Sequence, residues 1–418
     1  MSDRYPPDTS SAAGGGAPDP TPPAGWGPGY YAGPWTWAGD GSTGAPPGSP
    51  GSPGAWPAPT PYAPAPYAGW PEPRLDQLPP PVLAGWGPGV TQAGLQPYPY
   101  GPPAVSVPSA LPDGPREYQH LLRGPRYRWW RALVALALVV GIAIAAQLLA
   151  LIPVALSGAA LGVDNLGTWM SDQLNAVVEG RIGPAGFLYV NLGLAALIPA
   201  AGLSVWVAHH IRPRYVSSVV GGIRWRWLAR CVLLLLPLWA VYLGLGFFVD
   251  PPQAARPDQW VLLMVLVVFT TPFQAAGEEY VFRGWIMQNV GGWFRNPMVG
   301  LVAAIAVSAA TFALAHGSLD PWILASIAVF AVSACLATWR TGGLEAAIAI
   351  HAVNNVGAML LTLTFGGWDE AFIGGDSEGS PLPFLFDVAV QAVALALIWW
   401  QAKRQGIQRI YRPASRPA

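Results

Sequence analysis

The chain has 418 residues, 52% of them hydrophobic and 11% charged, with a formal net charge of zero. That balance offers no basic excess for a nucleic acid, and none is expected as a partner. Two cysteines, Cys231 and Cys335, cannot make a zinc site between them, and both are expected to be small core residues.

The averages join two unlike parts. Residues 1 to about 115 hold 30 of the 46 prolines and little Val, Ile or Leu, so this stretch is expected to be a disordered Pro/Gly-rich arm. Within it, Ala24-Gly25-Trp26-Gly27-Pro28-Gly29 returns as Ala84-Gly85-Trp86-Gly87-Pro88-Gly89. Such tracts suit a solvated tether, or a partner with an aromatic-lined groove. Arg116, Arg123, Arg126, Arg128 and Arg131 then approach the first apolar run, with Tyr127, Trp129 and Trp130 as interfacial anchors. That run starts too late for a cleavable leader, and none is expected.

From there, apolar runs of the length that crosses a bilayer recur. Eight spans are predicted, at about 131–156, 186–209, 228–249, 260–290, 298–316, 322–339, 344–365 and 383–402. The fold class is therefore all-α, a polytopic membrane bundle over 128–402 followed by a basic tail at 403–418. With the N-terminus in the cytoplasm, 18 basic residues fall on the inner side and two, Arg181 and Arg256, outside; Arg4 and Arg74 lie in the arm. The outer loops carry Asp164, Asp172, Glu179, Asp250, Asp369, Glu370, Asp376 and Glu378 instead. This bias predicts cytoplasmic termini. The Arg, Ala, Gly and Pro content points to a GC-rich genome and a bacterial plasma membrane. Asn296-Pro297 and Asp320-Pro321 read as helix starts, and Gly342-Gly343 as a break.

Charges inside the membrane gather in three spans: Glu278, Glu279 and Arg283 in the fourth, His316 in the fifth, His351 in the seventh. Such residues face a bundle interior and mark working sites, so one shared polar cavity is expected. Glu279 and Arg283 stand at i,i+4 in the favourable order and are expected to pair as structural support. Glu278 lies about 100° around the helix and is free to act. His351 and Asn355 share a helix face, with Asn354 off it. A base and donor set follows, in which Glu278 takes a proton from water oriented by His316, while His351 and Asn355 support an oxyanion.

Three motifs carry a resemblance. Glu278-Glu279-Tyr280-Val281-Phe282-Arg283 reads Glu-Glu-x-x-x-Arg, Phe312-Ala313-Leu314-Ala315-His316 reads Phe-x-x-x-His, and His351-Ala352-Val353-Asn354-Asn355 reads His-x-x-x-Asn. In order, and in these spans, they resemble the CAAX protease and bacteriocin-processing family of intramembrane endopeptidases, closely over 260–365 and in topology over 128–402. The resemblance implies a membrane-associated peptide substrate, Glu278 with His316 as the water-activating pair, and His351 with Asn355 at the oxyanion. It also admits zinc on Glu278, His316 and His351, although no His-Glu-x-x-His helix is present and the metal-free reading is preferred. The alternative is a non-enzymatic protein, for immunity, scaffolding or transport, with a structural or ion-binding cluster. A transporter would be expected to show two halves with broken helices, and no such symmetry is seen. Counting inward from the loops puts Glu278 and His351 near mid-depth and His316 near the outer end of its span, so they meet only if span five starts deeper or tilts, or if span four bends, with Pro272 and Gly277 as bend points.

Overall fold

The computed structural model describes residues 109–249, 251, 255–373 and 377–413. The proline-rich arm to residue 108, with its tryptophan repeats, Arg4 and Arg74, lies outside the described residues, as do Asp250, Asp376 and Arg416.

Long apolar stretches leave the backbone no partner but itself, and helices are the result. Helices α1 (Arg131–Leu149) and α2 (Leu151–Ala160) stack into the first span; α3 (Leu166–Val178) follows it at the end remote from the arginines that precede α1. Helices α4 (Pro184–Ala195) and α5 (Leu197–His209) make the second span, and a short α6 (Arg214–Ser217) leads to α7 (Trp225–Val249), the third. The fourth span joins α8 (Trp260–Glu279), a π-helical segment (Tyr280–Ile286) and α9 (Met287–Trp293). The remaining spans are α10 (Pro297–Leu314), α11 (Pro321–Thr341), α12 (Glu345–Phe365) and α13 (Pro381–Arg404). Eight helical spans are thus long and apolar enough to cross a membrane. Their outward faces carry exposed Leu, Val and Phe, including Phe269 and Phe273, as lipid contact requires.

The helix starts follow local chemistry. Asn296 accepts from the amides of Met298 and Val299, and Asp320 from those of Trp322 and Ile323, each with proline at the first helical position. Gly342 closes α11 in the left-handed region at φ 68°. Cys231 and Cys335 are both buried and free.

The arginine-rich face is shut by packed chain. Strand β1 (Arg116–Glu117) pairs antiparallel with β2 (Ile410–Tyr411), so both ends of the described chain meet on one face. Tyr118 is fully buried beneath them and donates to the Val216 carbonyl. Arg224 grips Glu345 through Nε and Nη2, at 2.8 and 2.7 Å, and donates to the carbonyls of Thr341 and Gln408. Two expectations change here. The chain already packs from residue 109, with Leu111 against the core, and the tail beyond Lys403 is held by β2. Arg283, counted above with the inner charges, is fully buried inside span four, which leaves 17 basic residues on that side.

Span two touches span four at a glycine. A Cβ on Gly277 would come within 1.9 Å of the Leu194 carbonyl oxygen, backbone that cannot rotate away. Gly277→Ala is therefore expected to push the two spans apart and cost about 1–3 kcal/mol. The midpoint of thermal unfolding in detergent reads this loss; an unchanged midpoint would show that the contact yields freely.

Candidate active site

Glu278 and Glu279 are neighbours in sequence with opposite surroundings. The turn between them sends Glu279 into the bundle, where it is fully buried, and leaves Glu278 9% exposed toward a cavity of about 930 Å³. Arg283 Nη1 lies 2.9 Å from Glu279 Oε1, and its guanidinium lies 4.1 Å above the Phe312 ring, so the buried cation meets a carboxylate and an aromatic face. The pair spans the start of the π segment, a wider turn often found at working sites. No break occurs at Pro272, which lies inside a continuous α8.

His351 joins this pair. Its Nδ1 lies 2.8 Å from Glu279 Oε1, and because a carboxylate accepts, Nδ1 carries the hydrogen. Its Nε2 is then turned toward Glu278, 3.7 Å from Oε2. The rings of Phe312 and Phe330 meet the imidazole edge-on at 5.9 and 5.1 Å and fix its plane.

A chain of amides reaches Glu278 from the other side. Trp239 Nε1 donates to Asn354 Oδ1 at 2.9 Å, Asn354 to Asn355 Oδ1 at 3.1 Å, and Asn355 to Gln274 Oε1 at 3.4 Å; Gln274 then donates to Glu278 Oε1. Every donor points toward the carboxylate, so each bond polarises the next. Asn354, off the face of His351 and Asn355 in the sequence but able to line the cavity, does line it, whereas Gln274 was not among the expected residues. The available signal was its position one turn before Glu278, at i,i+4. Gln274→Leu keeps the volume and removes the donor. It is expected to lower kcat by about tenfold, a fraction of the ~10²-fold cost of a 1 Å misplacement, with KM little changed. An equal fall in folded yield and rate would reduce Gln274 to a packing role.

His316 stands in the turn that follows α10, with Nδ1 2.8 Å from the Phe312 carbonyl; Nδ1 therefore carries the hydrogen and Nε2 is the accepting nitrogen. The Phe312 ring lies between the two histidines, 4.7 Å from that of His316. The depth mismatch expected from loop counting disappears once the helices are registered on their contact. Gly300 packs on Gly291, where a Cβ would meet the Gly291 oxygen at 2.7 Å. Thirteen residues back from Gly291 is Glu278, and thirteen on from Gly300 is Ala313, so His316 sits about one turn above Glu278. Counting failed because α9 carries span four down to Trp293, deeper than the sequence suggested. Glu278, His316, His351 and Asn355 all line the same cavity, with Asn191, Tyr242 and Asp387 around them.

The zinc set of Glu278, His316 and His351 is not assembled. Among the described residues no three His, Cys, Asp or Glu side chains form a group that could hold a metal. What the arrangement does present is a carboxylate, two accepting imidazole nitrogens and an amide donor around one space.

Comparison with known proteins bears on this geometry. Residues 258–357, about a quarter of the 418, match the model of the type II CAAX prenyl endopeptidase Rce1-like family. The chain carries an Rce1-like domain. All four cavity residues, together with Glu279 and Arg283, fall inside it. The Rce1-like family is a protease family, and with eight apolar spans the chain is an integral, multi-pass membrane protein that carries this domain. A Bacillus subtilis (strain 168) relative, "Uncharacterized protein YyaK", is 25% identical over 161 residues, covering 36% of this chain and 52% of the relative. The chain thus spans about half the length of the curated relative it matches. No solved structure matches significantly.

Proposed function

We propose that the chain is an intramembrane endopeptidase that hydrolyses a peptide bond with water activated by Glu278. The observation that carries the reading is the convergence of Glu278, His316, His351 and Asn355 on one cavity inside an Rce1-like domain. Water held between Glu278 and Nε2 of His316 loses a proton to Glu278 as its oxygen attacks the substrate carbonyl. The resulting oxyanion is met by Asn355 Nδ2, which has a second hydrogen beyond the one given to Gln274, with His351 beside it and its ring oriented by the Nδ1–H bond to Glu279. Glu278 then returns the proton to the departing amine as the C–N bond breaks.

The substrate is a membrane-embedded or membrane-associated polypeptide, with no requirement for a prenyl group. The excess of arginine at one set of span ends supports a cytoplasmic location for both termini in a bacterial plasma membrane, and a cytoplasmic partner for the proline-rich arm is part of the same proposal. The deciding experiment is cleavage of a membrane peptide library by the reconstituted chain and by Glu278→Gln.

A further inference from the structure

Seven of the eight spans contribute to the cavity, all but the first. Span two gives Phe187 and Asn191, just inside Pro184; span six gives Ser326 and Phe330, just inside Pro321; span eight gives Asp387 and Gln391, just inside Pro381. All three are the ends remote from the arginines. Span seven runs the other way, and its deepest lining residue is His351, about 9 Å above Glu345 at 1.5 Å per residue. The outer connections complete the wall with Glu179, Ile182, Asp369 and Phe372. Among the described residues, nothing from the inner connections lines it.

The opposite side is closed by buried chain. Tyr118, Leu121, Leu344 and Glu345 have no exposure, Arg224 is bonded across to Glu345, and the β1–β2 pair lies over them. The cavity is a well with a floor at Glu278 and His351 and a rim made of outer loops. Sixteen of the 18 described basic residues flanking the spans lie beyond that floor, since among them only Arg181 and Arg256 are on the rim side. A charge bias of this size fixes orientation.

From these two observations we infer that the active site is reached from the extracytoplasmic face, so that the substrates are translocated or secreted polypeptides and outward-facing segments of membrane proteins, and not cytoplasmic chain ends. The inference rests on the endopeptidase reading for the word substrate. The access path stands without it.

Cysteine labelling tests the path directly. Ser326→Cys and Ala358→Cys place thiols on the cavity wall away from the four reacting groups, and Gln405→Cys places one on the arginine face. Cys231 and Cys335 have no exposure, so the parent chain gives the background. A charged, membrane-impermeant maleimide applied to intact cells is expected to label positions 326 and 358 and to miss 405. In inverted vesicles the pattern should reverse, with 405 labelled and the wall thiols lost. Wall labelling confined to inverted vesicles would overturn the inference, and so would its absence from both sides at both positions. Correct outer labelling with no cleavage of the membrane peptide library by the reconstituted parent chain would instead keep the access path and remove the proteolytic assignment.

Discussion

Glu278→Gln is expected to lower the cleavage rate by about 10²–10⁴-fold, the span attributed to a positioned general base. The amide matches the carboxylate in shape and keeps an oxygen for Gln274 to reach, but it cannot take a proton from water. Because Glu278 sits at the cavity wall and holds no part of the buried ion pair, the variant should fold with its melting temperature little changed. Single-turnover cleavage of a reconstituted substrate measures the effect. A rate near that of the parent would remove Glu278 from the mechanism. His351→Gln should be slower as well, since it removes the ring shared by Glu279 and the oxyanion position. The order of the two losses separates water activation from oxyanion support.

The second large effect concerns stability. Arg283→Met leaves Glu279 charged with no exposure to water and without its guanidinium partner. Breaking a buried pair from one side costs about 3–5 kcal/mol. The structure adds reasons to expect the upper part of that range. Glu279 Oε2 already has no hydrogen-bond partner, and Arg283 also stacks on Phe312, so its loss opens the ring that braces both histidines. Removing the charge as well should recover most of the loss, because a neutral pair of similar volume carries no desolvation penalty. Unfolding in detergent of Arg283→Met and of Arg283→Met with Glu279→Gln makes the comparison. If the double variant is no more stable than the single one, the loss comes from packing against Phe312 and not from the orphaned charge.

These effects bear on what could be read before the fold was known. Glu279 and Arg283 were legible as a pair because i,i+4 spacing in a helix is a local property and survives whatever surrounds it. The eight spans were legible because crossing a bilayer sets a length and excludes charge. The helix starts at Asn296 and Asp320 were legible for the same local reason. Depth was not. The position of His316 relative to Glu278 depends on where Gly300 meets Gly291, a contact between helices that no single-helix pattern encodes. The amide chain from Trp239 to Gln274 joins three spans, and none of its members is charged, so an inventory of ionisable residues could not find it. Arg224 and Glu345 are charged, but they stand 121 residues apart and are joined only by folding. Helix α3 escaped because its apolar content is too low for a span, although Asn165 caps it by accepting from Thr168.

The π segment at Tyr280–Ile286 carries a lesson for anyone aligning or editing this chain. A helical wheel drawn through the fourth span has one phase above Tyr280 and another below Ile286, because the wider turns accumulate an angular offset between them. Deleting one residue there would let the segment relax to ordinary α-helix with α9 kept near its present phase, because the offset of the wider turns is close to one residue's turn. A residue inserted between Ile286 and Met287 would instead swing α9 by roughly 100°, taking Met287 and Val290 out of the core and Gly291 off Gly300. Insertions are therefore expected to be tolerated in the loops on either side of this span long before one is tolerated in α9.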